Sequence, residues 1–233
     1  SSFLMYKENP RESTVNTIES MLNLLEAMKE YAVKKIVHAS TSAVYEGNPV
    51  PYHEDMVIKP PDLKALSKKV NEEMAEQYSN CCGITAIHIR PFSVYGESEV
   101  QKGGYANVIS LFAWAMAAGN RPVVWGNGEQ TRDFIHAEDA ARAFVMAVEA
   151  DLSTQALNLG TGKETTFNQI ISSINQELGT SLEPEYVDVP IDVYAQRLLS
   201  DNGRVEKILE FRPKIELSEG VRRVVNHARK MIA

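Results

Sequence analysis

The chain has 233 residues, of which 44% are hydrophobic and 24% are charged, proportions that are typical of a globular protein and exclude a disordered chain. Its 31 acidic and 24 basic side chains give a net charge of −7, which argues against nonspecific binding to nucleic acid or to an anionic membrane, because both require clustered Lys and Arg. The length allows one large domain or two small ones.

Neither a membrane segment nor a metal site is indicated by the sequence. The longest uncharged stretch, residues 103–120, is too short and too polar to span a bilayer, so we interpret it as a buried helix. Cys81 and Cys82 are the only cysteines, and their adjacent positions fit neither a disulfide framework nor a zinc site. The histidines also lack ligand spacing, so we expect no metal, and the cysteine usage favours a reducing, cytoplasmic compartment.

Hydrophobic periodicity predicts an alternation of helices and strands. In chain order, the first predicted elements are a helix at 11–32, a strand at 34–40, a helix at 62–79, a strand at 85–90, a helix at 105–118 and a strand at 122–126. Later elements are short strands at 133–136, 156–159 and 186–189 and helices at 138–150, 166–178, 202–210 and 218–232. Asp201 and Ser218 are predicted to cap the last two helices.

The alternation of strand, helix and strand with short connections predicts an α/β fold in which helices cover a parallel sheet. We assign residues 1–96 to this sheet domain, with some later segments returning to it, and residues 97–233 mainly to a smaller α/β lobe. A doubly wound sheet also needs strands before helix 11–32. Either the sheet is small or the beginning of the fold is not in this chain.

Two short stretches near the predicted strands carry side chains suited to chemistry. The hydroxyls of Ser40–Tyr45 follow a buried strand, and ligands of such sheets bind at the carboxyl ends of the strands. A Ser/Thr-rich turn is an equally good interpretation. Lys68 lies near the start of helix 62–79, where a lysine is most often simply solvated.

A third stretch, Gly126–His136, lies in the second half of the chain. Its glycines predict a turn, and its Arg132 is a planar donor suited to a phosphate group. The structural alternative is an ion pair between Arg132 and either Asp133 or Asp139. The stretch therefore leaves a phosphate site and a structural salt bridge open.

Taken together and in order, the motifs of the chain resemble those of the extended short-chain dehydrogenase/reductases, in the family of NAD-dependent nucleotide-sugar epimerases and dehydratases. The resemblance covers almost the whole chain. The motifs that carry it are Val15-Asn16 with Asn23–Ala27, Ala39–Tyr45, Gly47–Pro49 with Pro51–Glu54, Ser67-Lys68, Arg90–Gly96, Gly128–Ile135, Asn158–Gly162 and Leu209–Pro213. Each motif alone is weak, whereas their common order is specific.

The resemblance implies a Rossmann-type, doubly wound parallel sheet that holds NAD and a C-terminal lobe that holds a nucleotide sugar. The reaction it implies is 4-epimerisation, most closely of the UDP-glucose/UDP-galactose type, by transient oxidation at C4 and return of the hydride. It also implies a homodimer formed through helices 11–32 and 62–79. Neither a nucleic-acid nor a membrane partner is expected.

The resemblance also implies roles for individual residues. Thr41 would hydrogen-bond the reacting sugar hydroxyl, and Lys68 would bind the ribose of the cofactor and lower the pKa of a catalytic tyrosine. The implied cofactor-binding residues are Asn16, Ser40, Lys68 and Pro91, and the implied substrate-binding residues are Thr41, Ser93 and Arg132. Arg132 matches the arginine that clamps the diphosphate.

The sequence departs from the family at the catalytic tyrosine. That tyrosine lies four residues before the lysine, and here the position is occupied by Lys64. Lys64 and Lys68 share one helical face, and repulsion between like charges would depress one pKa, so a neutral Lys64 could act as the base. The alternative is a catalytically inactive member that still binds a nucleotide sugar or NAD.

A second departure is the absence of the Gly-rich phosphate loop that follows the first strand in the family. We expect on the order of 80 residues of the fold to precede Ser1, since each βαβ unit takes about 30 residues. The residue that distinguishes NAD from NADP is therefore not visible here. Family dehydratases carry Asp-Glu after the threonine, whereas this chain has Ser42 and Ala43, which favours epimerisation over an NAD(P)-dependent dehydratase or reductase.

Overall fold

The computed structural model describes residues 3–191 and 194–232. The helices are α1 Phe3–Glu8, α2 Pro10–Glu30, α3 Leu63–Cys82, α4 Val108–Ala117, α5 Ala137–Glu149, α6 Phe167–Leu178, α7 Gly203–Leu209 and α8 Leu217–Ile232. The strands are β1 Lys35–Ala39, β2 Thr85–Pro91, β3 Ser93–Tyr95, β4 Val123–Trp125, β5 Thr131–Arg132, β6 Phe134–His136, β7 Gln155–Leu159, β8 Thr165–Thr166 and β9 Glu185–Val187. Short 3₁₀ helices lie at Ser42–Tyr45 and Val100–Tyr105.

The helices and strands predicted from periodicity all occur, and their ends lie within three residues of the predicted ones. The periodicity does not predict α1, β3, β5 or β8, because these elements are too short to show a repeat. Ser218 lies inside α8, which begins at Leu217, so the predicted cap at that position is wrong. The N-cap of α7 is Asn202, and the Asp201 carboxylate accepts a hydrogen bond from the backbone N–H of Gly203 at 2.8 Å.

The chain divides into two compact units that are interleaved in sequence. The first unit comprises residues 1–91, 142–159 and 201–211, and the second comprises residues 92–141, 160–200 and 212–233. The first change of unit follows Pro91, whereas the sequence interpretation places the end of the sheet domain at residue 96.

A parallel sheet forms the centre of the first unit. Its strand order is β1–β2–β7, with Lys35 of β1 opposite Thr85 of β2 and Ile87 of β2 opposite Gln155 of β7. Helices α2 and α3 pack against each other and onto the strands. The buried side chains of this cluster are Met21, Leu25, Met28, Ile36, Ala75, Ile84 and Ala86. The predicted α/β fold class is confirmed by this arrangement.

Both ends of α3 are defined by their caps. The Asp62 carboxylate accepts a hydrogen bond from the backbone N–H of Ala65 at 2.8 Å, which satisfies one of the free donors at the helix start. Gly83 ends the helix with φ at 66°, a left-handed conformation that suits a residue without Cβ. The caps therefore fix which α3 side chains lie in the first turn and which follow one turn later.

The second unit is built around a helical and aromatic core. Helices α4, α6 and α8 pack together, and the strands form the parallel pairs β3–β6 and β4–β9 and the antiparallel pair β5–β8. The largest buried side chains of this core are Tyr95, Ile109, Phe112, Met116, Phe134, Phe167, Ile170, Ile171 and Ile174. A Cβ at Gly220 of α8 would overlap the side chain of Tyr95, so glycine permits their close packing.

Within residues 3–191 and 194–232, none of the helices has the length and apolar character of a membrane span.

Candidate active site

The carboxyl end of β1 carries the predicted hydroxyl cluster. The backbone N–H of Ser40 donates to the carbonyl of Ile89 at 2.7 Å, which extends the pairing with β2 by one residue beyond the strand. Thr41 then caps the 3₁₀ helix Ser42–Tyr45, and its Oγ1 accepts a hydrogen bond from the backbone N–H of Ala43 at 3.2 Å. Both Ser40 and Thr41 are buried, so this turn places two hydroxyls at the end of the strand.

Lys68 of α3 lies at the same end of β1. Its Nζ donates a hydrogen bond to the carbonyl oxygen of Ala39 at 2.9 Å, two residues before Thr41. Burial lowers the pKa of Lys68, and the positive charge of Lys64 lowers it further. The structure therefore brings the predicted lysine and the predicted hydroxyl segment to one edge of the sheet.

Lys64 lies one turn before Lys68, in the first turn of α3. Its side chain is half-buried and makes no hydrogen bond or ion pair with any described residue. Burial lowers the pKa of Lys64, while the negative charges of Asp62 and Glu46 oppose that shift. An amine with a lowered pKa and no fixed partner can exchange a proton near neutral pH more readily than an ordinary surface lysine.

The tyrosines of the motifs Ala39–Tyr45 and Arg90–Gly96 are buried and are not available to a ligand. Tyr45 is fully buried, its hydroxyl donates to Oδ1 of Asn158 at 2.8 Å, and burial raises its pKa to about 12. Tyr95 is 1% exposed within the core of the second unit, and burial raises its pKa as well. Neither phenol can replace the tyrosine that the chain lacks at position 64.

A buried ion pair supports this edge of the sheet, and the sequence interpretation did not identify it. Arg90 of β2 donates from Nε to Oε1 of Glu72 at 2.8 Å and from Nη2 to Oε2 at 2.6 Å. Burial alone would raise the pKa of Glu72, but the hydrogen bonds and charge of Arg90 lower it to about 2. Arg90 also donates to the hydroxyl of Tyr45 at 2.5 Å, which joins α3, β2 and the turn after β1. The position of Glu72, one turn after Lys68, is the sequence feature that could have drawn attention to it.

A histidine pair adjoins this network. Nε2 of His38 lies 2.6 Å from Nδ1 of His88 on the neighbouring strand. Burial lowers the pKa of His38 to about 3 and the pKa of His88 to about 4. Both rings are therefore neutral at pH 7 and form a polar but uncharged contact inside the sheet.

The two remaining cofactor-site predictions in the first unit fall in different environments. Pro91 ends β2 opposite Leu159, at the carboxyl edge that also carries Thr41. Asn16 is exposed on α2, and no described residue links its side chain to Lys68. The backbone carbonyl of the adjacent Thr17 accepts a hydrogen bond from Nδ2 of Asn71 in α3 at 3.2 Å.

The predicted substrate residues Ser93 and Arg132 belong to the second unit. Ser93 begins β3, and its backbone N–H donates to the carbonyl of Asp133 at 2.9 Å. The Arg132 guanidinium lies 5.3 Å from the ring centre of Phe167 and 5.4 Å from that of Tyr194. Aromatic rings at this distance hold a planar cation in a fixed orientation, which suits an arginine that recognises a phosphate.

Asp133 does not pair with Arg132, one of the alternatives left open by the sequence. Its carboxylate accepts hydrogen bonds from the backbone N–H and Oγ1 of Thr161, both at 2.6 Å, and from the backbone N–H groups of Gly162 and Ser200. A Cβ at Gly160 would lie 2.5 Å from Oδ2 of Asp133, so only glycine fits beside this carboxylate. The Gly-Thr-Gly motif is therefore a loop organised around Asp133.

The chain is similar to proteins of one family. A model of the NAD dependent epimerase/dehydratase family matches residues 4–160. A putative UDP-glucose 4-epimerase of Methanocaldococcus jannaschii is 37% identical over 221 residues, which cover 94% of this chain and 71% of that protein. The UDP-glucose 4-epimerase of Mycolicibacterium smegmatis is 32% identical over 223 residues, with coverage of 94% and 70%.

Solved structures show the same relationship. The UDP-N-acetylglucosamine 4-epimerase of Methanobrevibacter ruminantium superposes with a TM-score of 0.93 at 28% identity, covering 99% of this chain and 74% of that one. The UDP-glucose 4-epimerase of Thermotoga maritima gives a TM-score of 0.92 at 27% identity, covering 100% and 75%. The expected Rossmann-type fold and the resemblance are both confirmed, and the chain belongs to the NAD-dependent epimerase/dehydratase family.

Proposed function

We propose that this protein is an NAD-dependent nucleotide-sugar 4-epimerase that interconverts UDP-glucose and UDP-galactose. The observation that carries the proposal is the hydrogen bond from Lys68 Nζ to the Ala39 carbonyl, because it holds an amine at the strand end that bears Thr41. Relatives named UDP-glucose 4-epimerase at 32–37% identity support the choice of substrate.

The side chains at this edge fit the nicotinamide half of NAD. An ammonium carries three N–H donors, and Lys68 uses one of them on Ala39, which leaves two for ribose hydroxyls. Thr41 accepts one hydrogen bond, and its own hydroxyl hydrogen has no acceptor among the described residues. When bound, NAD supplies the acceptor for a hydride and returns it to the sugar.

In this proposal each residue has a distinct task. Thr41 donates its free hydroxyl hydrogen to the reacting oxygen of the sugar, and Lys68 orients the ribose. Arg132, held by its two aromatic neighbours, binds the diphosphate of the substrate, and Ser93 contacts the sugar. Ser40, Pro91 and Asn16 stay predictions for the cofactor site.

A second candidate function is a family member that binds a nucleotide sugar without converting it. The presence of Lys64 where the family has its tyrosine favours this alternative. It predicts measurable binding of UDP and UDP-glucose together with no formation of UDP-galactose. The two candidates therefore differ in turnover and agree in binding.

The decisive experiment is incubation of the protein with UDP-glucose and NAD, followed by chromatographic measurement of UDP-galactose and by calorimetric measurement of UDP binding. We expect turnover, and we expect Lys68→Met to reduce kcat by about 100-fold, the cost of losing the group that orients the cofactor at the reacting centre. Lys207→Met is the matched control, because Lys207 is exposed on α7. Binding of UDP without any turnover would establish the second candidate.

The proposal includes a homodimer formed through α2 and α3. Apolar side chains remain exposed on both helices, with Leu24 47% and Leu66 45% exposed. Light scattering after gel filtration at micromolar concentration is expected to give twice the chain mass of 26.0 kDa. Leu24→Glu should shift the mass toward the monomer, whereas Val57→Glu, at an exposed position outside both helices, should not. A monomeric wild-type protein would contradict the dimer.

A further inference from the structure

The only two cysteines of the chain take no part in the candidate active site. Cys81 and Cys82 are the last two residues of α3, at the other end of that helix from its cap Asp62. Cys81 is exposed and Cys82 is half-buried. A ligand from solvent can therefore reach this pair of thiols without any opening of the fold.

The fold holds the two sulfur atoms side by side. Sγ of Cys81 lies 3.1 Å from Sγ of Cys82. The N–H of Gly83 donates to the carbonyl of Ser79 at 3.1 Å, so both cysteines keep a helical backbone up to the left-handed glycine that ends α3. The side chain of Cys82 also packs against the apolar cluster of the first unit. The core thus fixes one sulfur, and the helix fixes the residue that carries the other.

This helical backbone opposes a direct disulfide between the two cysteines. Neighbouring Cα atoms are about 3.8 Å apart, which is less than the minimum of about 4.4 Å that is usual across a disulfide. A bond between the two sulfurs would therefore distort the last turn of α3. A third atom that bonds to both sulfurs avoids this distortion, because the sulfurs can stay apart, so the pair is better suited to chelation than to oxidation.

The distance between the sulfurs selects the kind of bridging atom. Bonds from sulfur to a metal or metalloid are about 2.3 Å long, so two such bonds that span the 3.1 Å between Cys81 and Cys82 meet at roughly 85°. A tetrahedral zinc ion would hold the sulfurs about 3.8 Å apart, and a linear ion would hold them farther apart still. Trivalent arsenic carries a lone pair and forms three pyramidal bonds at angles close to a right angle. The spacing of the thiols therefore fits arsenic better than zinc.

The surroundings leave the third bond of such an atom to the ligand itself. Within residues 3–191 and 194–232, no group of three or more His, Cys, Asp or Glu side chains could hold a metal ion. Glu26 of α2, whose charge acts on Cys82, already accepts a hydrogen bond from the hydroxyl of Tyr78. A fitting ligand therefore brings its own third substituent, as an organic arsenical does with its arsenic–carbon bond.

The protonation of Cys82 favours the same class of ligand. The hydrogen bond with Cys81 raises the pKa of Cys82 above that of an ordinary thiol, and partial burial raises it further, while the charge of Lys29 opposes the shift. Cys82 therefore keeps its proton at pH 7. A metal cation would have to displace that proton, whereas the hydroxyl of an arsonous acid takes it up and leaves as water.

We propose that Cys81 and Cys82 form a dithiol site that chelates an organic trivalent arsenical. At each cysteine the S–H bond and one arsenic–hydroxyl bond break, a sulfur–arsenic bond forms, and the proton leaves with the hydroxyl as water. Arsenic and sulfur keep their oxidation states, so no oxidant or reductant takes part. The site does not depend on the proposed epimerase function, and it is tested whether or not the protein converts UDP-glucose.

The test uses phenylarsine oxide, which hydrates to an arsonous acid with two exchangeable hydroxyls. The reduced protein is mixed with one equivalent, passed through gel filtration and analysed by intact mass spectrometry. We expect one retained adduct per chain, heavier by one phenylarsenic group less two hydrogens. Dimercaptopropanol should remove it, whereas a monothiol at the same thiol concentration should not. We expect Cys81→Ser to weaken binding by about 100-fold, because one sulfur closes no ring.

Cys82→Ser is expected to weaken binding by a similar factor, and circular dichroism checks that both variants fold. Cys81→Ser is the safer of the two, because Cys81 is exposed. Equal retention of the arsenical by the wild-type protein and by Cys81→Ser would overturn the proposal. So would a wild-type protein that retains no arsenical, whether or not iodoacetamide alkylates Cys81. Displacement of the bound arsenical by equimolar zinc chloride would overturn the preference for arsenic.

Discussion

Each of the two units buries a carboxylate, and the two carboxylates have different kinds of hydrogen-bond donor. In the first unit Glu72 faces the Arg90 guanidinium, and its pKa falls to about 2. In the second unit Asp133 faces backbone N–H groups and the hydroxyl of Thr161, and burial still raises its pKa. The comparison shows that a full opposite charge outweighs desolvation here, whereas several neutral donors do not. An ion pair between Arg90 and Glu72 thus stabilises the side chains near Lys68. Hydrogen bonds from backbone N–H groups to Asp133 stabilise the loop after β7.

Removing one partner of the ion pair is expected to have the largest effect. Glu72→Ala leaves the Arg90 charge buried without a carboxylate, and we expect the free energy of unfolding to fall by about 3–5 kcal/mol in urea titrations. Glu216→Ala is the control, because its pair with Lys163 is exposed and worth at most about 1 kcal/mol. Equal losses for the two variants would contradict the comparison.

The histidine pair predicts a loss of stability in mild acid. His38 and His88 stay neutral in the fold, with pKa values of about 3 and about 4, but take up protons below about pH 6.5 when unfolded. The two histidines therefore leave the free energy of unfolding unchanged above about pH 6.5 and lower it as the pH drops toward 4. At pH 5 the expected loss is about 2 kcal/mol for each histidine.

Urea titrations at pH 7 and pH 5 check this prediction. His38→Gln should reduce the difference between the two pH values, whereas substitution of the exposed His53 by Gln should leave it unchanged. Glu72 does not interfere, since its contribution is lost only as the pH falls from about 4.5 through about 2. A stability that is equal at pH 7 and pH 5 would show that the histidines are not held neutral.

A smaller effect is expected from the dipole-bound carboxylate of the second unit. Asp133→Asn replaces an acceptor with an NH₂ group that faces backbone N–H donors, and we expect a loss of about 1–3 kcal/mol. Asp151→Asn, at an exposed position, is the matched control for thermal unfolding. Because burial raises the pKa of Asp133, its ionisation destabilises the fold as the pH rises through that pKa, so the variant should also lose this pH dependence.

The smallest effect concerns a neutral cap in the same unit. Thr166 begins α6 with a capping box, in which Thr166 Oγ1 accepts from the Gln169 N–H and the Gln169 side chain accepts from the Thr166 N–H. Thr166→Ala should lower the free energy of unfolding by about 1 kcal/mol. Ser181→Ala, at an exposed position after the helix, should be neutral in the same urea titration. A Thr166→Ala loss as large as that of Glu72→Ala would remove the distinction between charge and dipole partners.

Much of the fold could be predicted from the sequence, because long helices and buried strands repeat apolar residues with a clear period. The positions of Thr41 and Lys68 in the fold could also be predicted, since one follows a strand and the other lies near the start of a helix. Strands β5 and β8 could not, because two residues show no period.

Contacts between side chains of the candidate site could not be predicted from the sequence. Glu72 and Arg90 are 18 residues apart, and only the packing of α3 on β2 makes them partners. Asn16 stays a prediction from its motif letters, and those letters do not show that Nδ2 of Asn71 in α3 donates to the backbone carbonyl of the neighbouring Thr17. Contacts of this kind depend on the rotation of a helix, which motif matching does not determine.

The interleaving of the two units has a consequence for synthesis on the ribosome. Strand β7 completes the sheet beside β2, yet 50 residues of the other unit, residues 92–141, lie between these two strands in the chain. A nascent chain that ends near Pro91 therefore carries an unpaired edge of β2, which invites association with other chains. The first unit needs residues up to 211 and the second needs α8. We expect neither unit to become resistant to protease before residue 211 has been synthesised.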